Sequence, residues 1–470
     1  MNAYQKFLRN KKGGISLFLC GILTATILVE SIYYFRAWYG NAQSDLYRSM
    51  SLQINANLSH YNEKLYSMYG LYAMNSTDGP HDVFERSFAH SGIADLKSES
   101  SALMSGEDVF RGGVDYAKIR FPATAVDTVL HWMKDASDTV GGGNTADQIM
   151  SGQNGAGKYI SDIMSGKEDI AALLEKAKEY IEIVDITNSM SSLTGFLDQW
   201  SSVKKQTESL RLQGNDQAPE IFQKGFDPTS ISHILQVVDS VISVDLPDVL
   251  DTLLFHEYLL ATMDSQLSNG ESGEGYVEKN HLGEAFSGYH AENAADLEYI
   301  FTGIDQPFLA KTASNAVIFS LRFLVNYAEI LMDDQDMMVA RSIATLLDAV
   351  VTAASFGMVH LGAEAWKYVV ITVWALGSSV KDLMQLLDGK SFPFFQYDSM
   401  DKTLEKVLTM GYRDYFRILY LMTPTAWMQD RALTVMQRDC GENLPIALAV
   451  EVDFLGASYR EERGYILYEG

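Results

Sequence analysis

The sequence predicts a mainly α protein with a minor α+β part. It has a long N-terminal transmembrane helix, a multi-helix extracytoplasmic body and a short C-terminal β-hairpin. Three observations predict this. An apolar run from Ile15 to Phe35 follows a basic tip. Only 9 prolines occur in 470 residues, and apolar residues recur at helical spacing over the long stretches between them. Runs of Val, Ile, Phe and Tyr set residues 440–470 apart from the helical chain before them.

The composition narrows the class. Hydrophobic residues make up 47%, too many for a disordered chain, and the length favours more than one packed unit. Lys6, Arg9, Lys11 and Lys12 give the first fourteen residues a charge of +4, so with −25 overall the remainder carries −29. An acidic body argues against nucleic acid, which needs a basic face, and against tight contact of that body with anionic lipid. Cys20 and Cys440 are too few for a disulfide framework, so packing must supply the stability.

Residues 1–14 read as a cytoplasmic basic tip and 15–35 as the span. At ~1.5 Å per residue that helix is about 31 Å long, close to the hydrocarbon thickness. Ile15, Leu17, Phe18, Leu19, Ile22, Leu23, Ile27, Leu28 and Val29 form the membrane anchor. The positive cluster holds the N-terminus inside and sends the chain outward, and Tyr33, Tyr34, Trp38 and Tyr39 fall where an interfacial aromatic belt belongs. Glu30 is the one acid in the span. It lies near the outer interface, where it can reach water, although an acid there could also match a neighbouring subunit. A cleaved signal would need a small-residue site where Glu30–Phe35 stands, and a lipoprotein signal a small residue where Leu19 precedes Cys20. Prepilin-type processing after Gly14 stays open, with Leu19 where such helices usually carry Glu.

Residues 36–74 extend the helix. Leu46, Met50, Ile54, Leu58, Tyr61, Leu65, Met68 and Tyr72 form an apolar stripe of helical period, and Asp78-Gly79-Pro80 stops it. A continuous or once-bent helix to residue 74 would be about 90 Å long, so its outer face must pack on the body or on another copy.

Beyond it, 75–136 reads as an α+β segment. Residues 114–121 alternate in polarity and suggest a strand that pairs with the C-terminal hairpin, and 123–135 look helical. A Gly-rich linker follows at 137–158. The middle region, 159–290, reads as helices over 159–213 and 228–265, broken at Pro247, with a polar loop at 266–283. The helical domain runs from 291 to 439. Its most apolar part, 338–387, is interrupted by Asp348, Glu364, Lys367 and Lys381. The stretch Ala349–Ala363 has no formal charge but is shorter than the ~18 residues of a span, so buried core helices are expected. The hairpin at 440–470 is expected to turn around Ser458–Arg463.

No catalytic, cofactor or metal site is predicted. The sequence has no H-E-x-x-H, P-loop, nucleotide-binding glycine fingerprint or G-x-S-x-G. His281, Glu284, His290 and Glu292 lie close together but off a common face, and they read as a solvated loop. His360 and Glu364 read as a buried i,i+4 pair. Glu298, Tyr299 and Arg322 are expected to meet in one internal polar cluster.

Several motifs in order carry a resemblance. Lys12-Gly-Gly-Ile-Ser-Leu-Phe-Leu19, Glu30 and Leu65-Tyr-Ser-Met-Tyr-Gly-Leu-Tyr72 come first. Asp296-Leu-Glu-Tyr-Ile-Phe-Thr-Gly303, Arg322 with Asn326, Trp374-Ala-Leu, Asp382-Leu, Leu387-Asp-Gly-Lys390 and Gly411-Tyr-Arg-Asp-Tyr415 follow. Together they resemble an uncharacterised family of Gram-positive membrane proteins, a domain of unknown function whose genes often accompany Tad-type (tight adherence) pilus genes. The opening layout is similar to that of TadE/TadG-like minor pseudopilins. The resemblance implies pilus-associated envelope work, with the lipid bilayer and other pilus or envelope proteins as partners. It fixes no oligomeric state. The expected function is a non-catalytic, membrane-anchored structural or assembly component. The alternative is a membrane-tethered extracytoplasmic binding or sensing module, whose mark would be a polar-lined concave pocket.

Overall fold

A computed structural model of the chain describes residues 11–75, 82–120, 246–269, 295–354, 362–394 and 409–465. Along the chain these residues form α1 (Lys11–Ser59), α2 (Glu63–Tyr69), α3 (Asp82–Ser87), β1 (Ala94–Leu103), α4 (Gly106–Arg120) and α5 (Leu246–Thr262). Next come α6 (Asp296–Thr302), α7 (Pro307–Met332), α8 (Asp334–Ala354) and α9 (Ala363–Leu387). The short strands β2 (Phe392–Pro393) and β3 (Thr409–Met410) precede α10 (Tyr412–Leu421), α11 (Thr425–Cys440), β4 (Pro445–Phe454) and β5 (Ala457–Gly464). The protein is mainly helical, with a small antiparallel hairpin near its C-terminus. It divides into two compact units, one built from residues 1–66, 72–104 and 440–470, the other from 67–71 and 105–439.

In the first unit an antiparallel sheet of order β1-β4-β5 carries α1 on one face. Leu448, Val450, Val452 and Phe454 alternate along β4 and so point to one side of it. They pack against Ala42, Leu46, Met50 and Ile54 of α1, with Phe84 and Phe88 at the margin. Each Leu or Ile buried this way contributes about 1.5–3 kcal/mol. Polar groups fix the register. Gln53 is fully buried, accepts the Phe84 N–H at 2.8 Å and donates to Asn57 at 2.8 Å.

The apolar stripe is therefore covered from within the chain. Leu46, Met50, Ile54 and Leu65 have no exposed surface, Leu58, Tyr61 and Met68 are half-buried, and Tyr72 lies at the surface. The helix does not run on to residue 74. It ends at Ser59, because Asn62 turns the chain: its side chain caps α2 by accepting the Leu65 N–H at 3.0 Å. Its own N–H donates to Ala73 O at 2.8 Å, so the segment after α2 doubles back, and Met74 N–H then meets Pro445 O at 2.7 Å.

The predicted span is bare. Ile15 to Phe35 is one helical stretch whose large apolar side chains are 47–76% exposed. Among the described residues, three helices are long and apolar enough to cross a membrane. In α7 and α9 the apolar window is 78% and 67% buried inside the fold, whereas in α1 it is 0% buried. Both α7 and α9 are core helices, and α9 falls within the 338–387 stretch read that way. Trp38 and Tyr39, expected in an interfacial belt, instead join the first unit. Trp38 meets His90 edge-on at 5.2 Å, and the Tyr39 and Tyr459 hydroxyls are 2.6 Å apart.

The strand that partners the hairpin is β1, not residues 114–121. Residues 114–120 end α4, where Val109, Gly113 and Ala117 are buried at helical spacing. Ser105 starts α4 with a capping box: Asp108 accepts from the Ser105 N–H at 2.9 Å, and Ser105 Oγ accepts the Asp108 N–H at 3.3 Å. The hairpin turns at Leu455–Gly456 rather than over Ser458–Arg463. Both turn residues have positive φ, 52° and 81°, as a two-residue type I′ turn requires. Pro247 does not break a helix either; it sits in the first turn of α5, where its missing N–H costs nothing. Residues 121–245 and 270–294, with the expected linker, most of the middle region and the His281–Glu292 group, lie outside the described residues, as does His360.

In the second unit α7 and α8 both pack on α9, and α5 packs on α4 and α10. This arrangement brings the polar motif residues together.

Candidate functional site

Two buried polar clusters lie in the second unit. The first joins α7 to α9. Arg322 is 1% exposed and donates through Nε and Nη2 to Asp382 Oδ2 at 2.9 and 2.7 Å. Nη2 also reaches Asn326 Oδ1 at 3.0 Å, and Nη1 reaches the Phe394 carbonyl at 2.6 Å. Asn326 Nδ2 bonds Asp382 and Ser379. The rings of Phe392 and Phe394 lie 5.0 and 5.9 Å from the guanidinium carbon. Burial alone would favour loss of the Arg322 proton, but Tyr415 and Asp382 beside it outweigh that and strengthen its charged form. Burial also pushes the Tyr415 phenol up to about 12, so it stays neutral.

This cluster forms the floor of a cavity of about 320 Å³. Glu329, Asp333, Asp336 and Lys381 add charge to its walls, and Trp374 adds an aromatic face. Burial and the neighbouring Asp333 raise the Asp336 carboxyl above its usual range. Among the described residues no group of three or more His, Cys, Asp or Glu is arranged to hold a metal.

The second cluster surrounds the start of α6. Glu298 is fully buried, and its Oε1 accepts from the Tyr412 hydroxyl at 2.9 Å and the Gln266 N–H at 3.0 Å. Asp296 pairs with Arg438 at 2.7 Å. Arg438 also reaches Asp439 at 3.0 Å, and Asp439 accepts from the Tyr69 hydroxyl at 2.5 Å. At the far end of α6, Gly303 has φ +72°, and Arg431 Nη1 donates to the Ile300 and Phe301 carbonyls at 2.8 and 3.0 Å. A Cβ on Gly303 would lie 2.5 Å from the Arg431 guanidinium. Glycine is thus needed twice, for the left-handed cap and for space.

Residues 238–444 match a family of unknown function (DUF5702). No curated protein and no solved structure matches the chain. The matched region contains the first cluster, the cavity and all of the second cluster but Tyr69.

Several of the motifs within the matched region have a physical role. Asp296 and Glu298 anchor the start of α6, and Gly303 ends it. Arg322, Asn326 and Asp382 meet in one network. In the Gly411–Tyr415 segment, Tyr412 holds Glu298, Arg413 bonds the Met263 carbonyl at 2.5 Å, and Asp414 accepts the Gly411 N–H at 2.8 Å. Glu298, Tyr299 and Arg322 do not form one cluster, however. Glu298 and Arg322 sit on separate helices with separate partners, and Tyr299 is half-buried with its phenol raised by burial. Asp264, Arg431, Arg438 and Asp439 carry no spacing signal that would have picked them out. Glu364 is exposed and pairs with Lys367 at 2.5 Å.

The predicted anchor residues, Ile15 to Val29, lie along the bare part of α1, and Glu30 is exposed beside them. Neither Cys20 nor Cys440 forms a disulfide.

Proposed function

We propose that the protein is a single-pass, membrane-anchored component of the cell envelope that works without catalysis. Its N-terminus lies in the cytoplasm and both folded units lie outside. Its work is that of a structural or assembly partner of a Tad-type pilus or a related apparatus. One observation carries the anchoring: a bare apolar helix of membrane-spanning length runs without a break into a packed core. The basic tip supports the orientation. The pilus association rests on the family resemblance. Because the stripe on α1 is occupied by the protein's own sheet, contact with a partner falls to the span or to other surfaces.

Two experiments test this reading. Single cysteines introduced at the tip and on β5, in a Cys-free background, should react with an impermeant thiol reagent only on β5. Labelling at the tip in intact cells would reverse the orientation. Replacing Ile15–Phe35 with an unrelated transmembrane helix should leave the protein in the membrane while lowering its co-purification with the pilus machinery. Failure of the native protein to co-purify would remove the pilus role and leave the anchor intact.

The cavity floored by Arg322 and Asp382 favours a second reading, a tethered module that binds a small polar ligand. Charge reversal at Lys381, on the exposed rim, should then impair function without changing thermal stability. Full function in that variant would exclude the cavity.

A further inference from the structure

The turn before residue 270 is tied to the start of α6 by carboxyl groups that, among the described residues, outnumber the cations facing them. Asp264 and Asp296 are 7% and 4% exposed. The Asp296 N–H donates to Asp264 Oδ1 at 3.0 Å, and the Leu297 N–H donates to the Asp264 carbonyl at 2.9 Å. These two backbone bonds hold the Asp264 carboxyl at the start of α6, against the backbone of Asp296. Glu298 stands next along α6 and is completely buried.

The charges facing this pair come from every neighbouring element. From α11, Arg438 faces Asp296 but also Asp439, so one guanidinium serves two carboxylates. Arg431, also on α11, is directed at the α6 carbonyls, and Arg413 of α10 at those of Leu260 and Met263. The phenols of Tyr412 and Tyr420 donate to Glu298 and to the Leu297 carbonyl, and Tyr69 donates to Asp439. His256 of α5 lies against the Tyr420 ring and is held neutral by burial. Two buried carboxylates in contact do not both ionise.

We propose that Asp264 keeps its proton at neutral pH and donates it in a hydrogen bond to the Asp296 carboxylate, making this junction a pH-sensitive latch. When base removes that proton to solvent, two anions face each other without water, and the turn parts from α6. Burial, first, and then the charges of Asp296 and Glu298 hold Asp264 well above the usual carboxylate range. Asp296 is raised by burial too, but Arg438 opposes the rise, so the proton belongs to Asp264.

The sign of the pH effect follows. Between the unfolded value, about 3.9, and the raised folded value, the folded state binds a proton that the unfolded state lacks. Stability from this group is therefore full at low pH and falls as pH rises through the folded value.

The test compares full-length wild type with Asp264→Asn in detergent micelles. An amide can donate to Asp296 and accept its N–H as the neutral acid does. Urea midpoints are measured from about pH 5 to about pH 9, a range in which the carboxyl of the unfolded chain is already ionised. The wild-type midpoint should fall relative to the variant as pH rises. Any slope from His256 is common to both and cancels. Parallel curves would overturn the proposal. Infrared spectroscopy of the wild type gives a second readout that does not depend on the variant folding. A protonated-carboxyl carbonyl band should be present at neutral pH and shift in heavy water. Its absence would also overturn the proposal.

Discussion

Arg322 and Asp382 meet at 2.7 Å across two helices, with the Arg322 side chain 1% exposed and that of Asp382 14% exposed. Removing one partner of such a pair leaves a charge in a dry site, which costs about 3–5 kcal/mol. Asp382→Ala should lower the unfolding free energy of the second unit, read from urea denaturation, by that order. The Phe394 carbonyl and Asn326 still face the guanidinium, so the loss should not exceed that range. Arg322→Met combined with Asp382→Leu should recover much of it, because no buried charge remains. A double variant as weak as Asp382→Ala would mean that the pair itself contributes net stability.

Gly303 offers a test of a single cap. Alanine there meets a left-handed backbone, costing about 1–2 kcal/mol, and would displace the Arg431 guanidinium from two carbonyls. Gly303→Ala should therefore lose more stability than the backbone term alone. Arg431→Lys in the same background would help tell strain from lost hydrogen bonds. If Gly303→Ala matches wild type by thermal unfolding, the cap does not hold α6.

These clusters show what a sequence can reveal. The long apolar helix was legible because hydrophobic length is a local property, and α1 bears Ile15 to Phe35 bare. The stripe was legible for the same reason, since helical period is local. Its occupant was not. β1 is Ala-Asp-Leu-Lys-Ser-Glu-Ser-Ser-Ala-Leu, an edge strand with few β-branched or aromatic residues, and pairing with β4 defines it more than propensity does. Residues 114–121 show the converse error. Their alternation imitated a strand, while the capping box at Ser105–Asp108 marked a helix start just upstream. The helix end at Ser59 turned on Asn62, one residue whose partners lie at Leu65 and Ala73. Of the polar network, the motif residues were visible but their pairings were not, because Glu298 and Tyr412 are separated by 114 positions.

The α1–sheet contact predicts a sharp contrast between two apolar positions on one helix. Ile54 is fully buried against the sheet, whereas Leu28 is 57% exposed in the bare stretch. Ile54→Ala should cost about 2–5 kcal/mol through lost burial and a residual cavity. Leu28→Ala should leave unfolding of the first unit unchanged. Both are read by urea denaturation in detergent, following tryptophan fluorescence. Equal effects would mean that α1 beyond the span is not packed as described.

His256 supplies the last prediction. It is 2% exposed, and among the described residues neither ring nitrogen has a hydrogen-bond partner. Burial lowers its value to about 3, so it stays neutral in the fold although the unfolded chain protonates near 6.5. Below that unfolded value the unfolded state binds the extra proton, so stability is lost as pH falls toward about 3. In the limit the loss approaches about 1.4 kcal/mol per pH unit. His256→Leu removes two polar atoms that lack partners and roughly keeps the volume, so at neutral pH the change should stay below about 1.5 kcal/mol. At pH 4 to 5 the variant should be the more stable protein, because nothing at this position remains to titrate. Thermal unfolding of both proteins across that range decides it. If wild type and variant weaken in parallel on acidification, His256 finds a proton partner in the fold and is not the neutral core residue described.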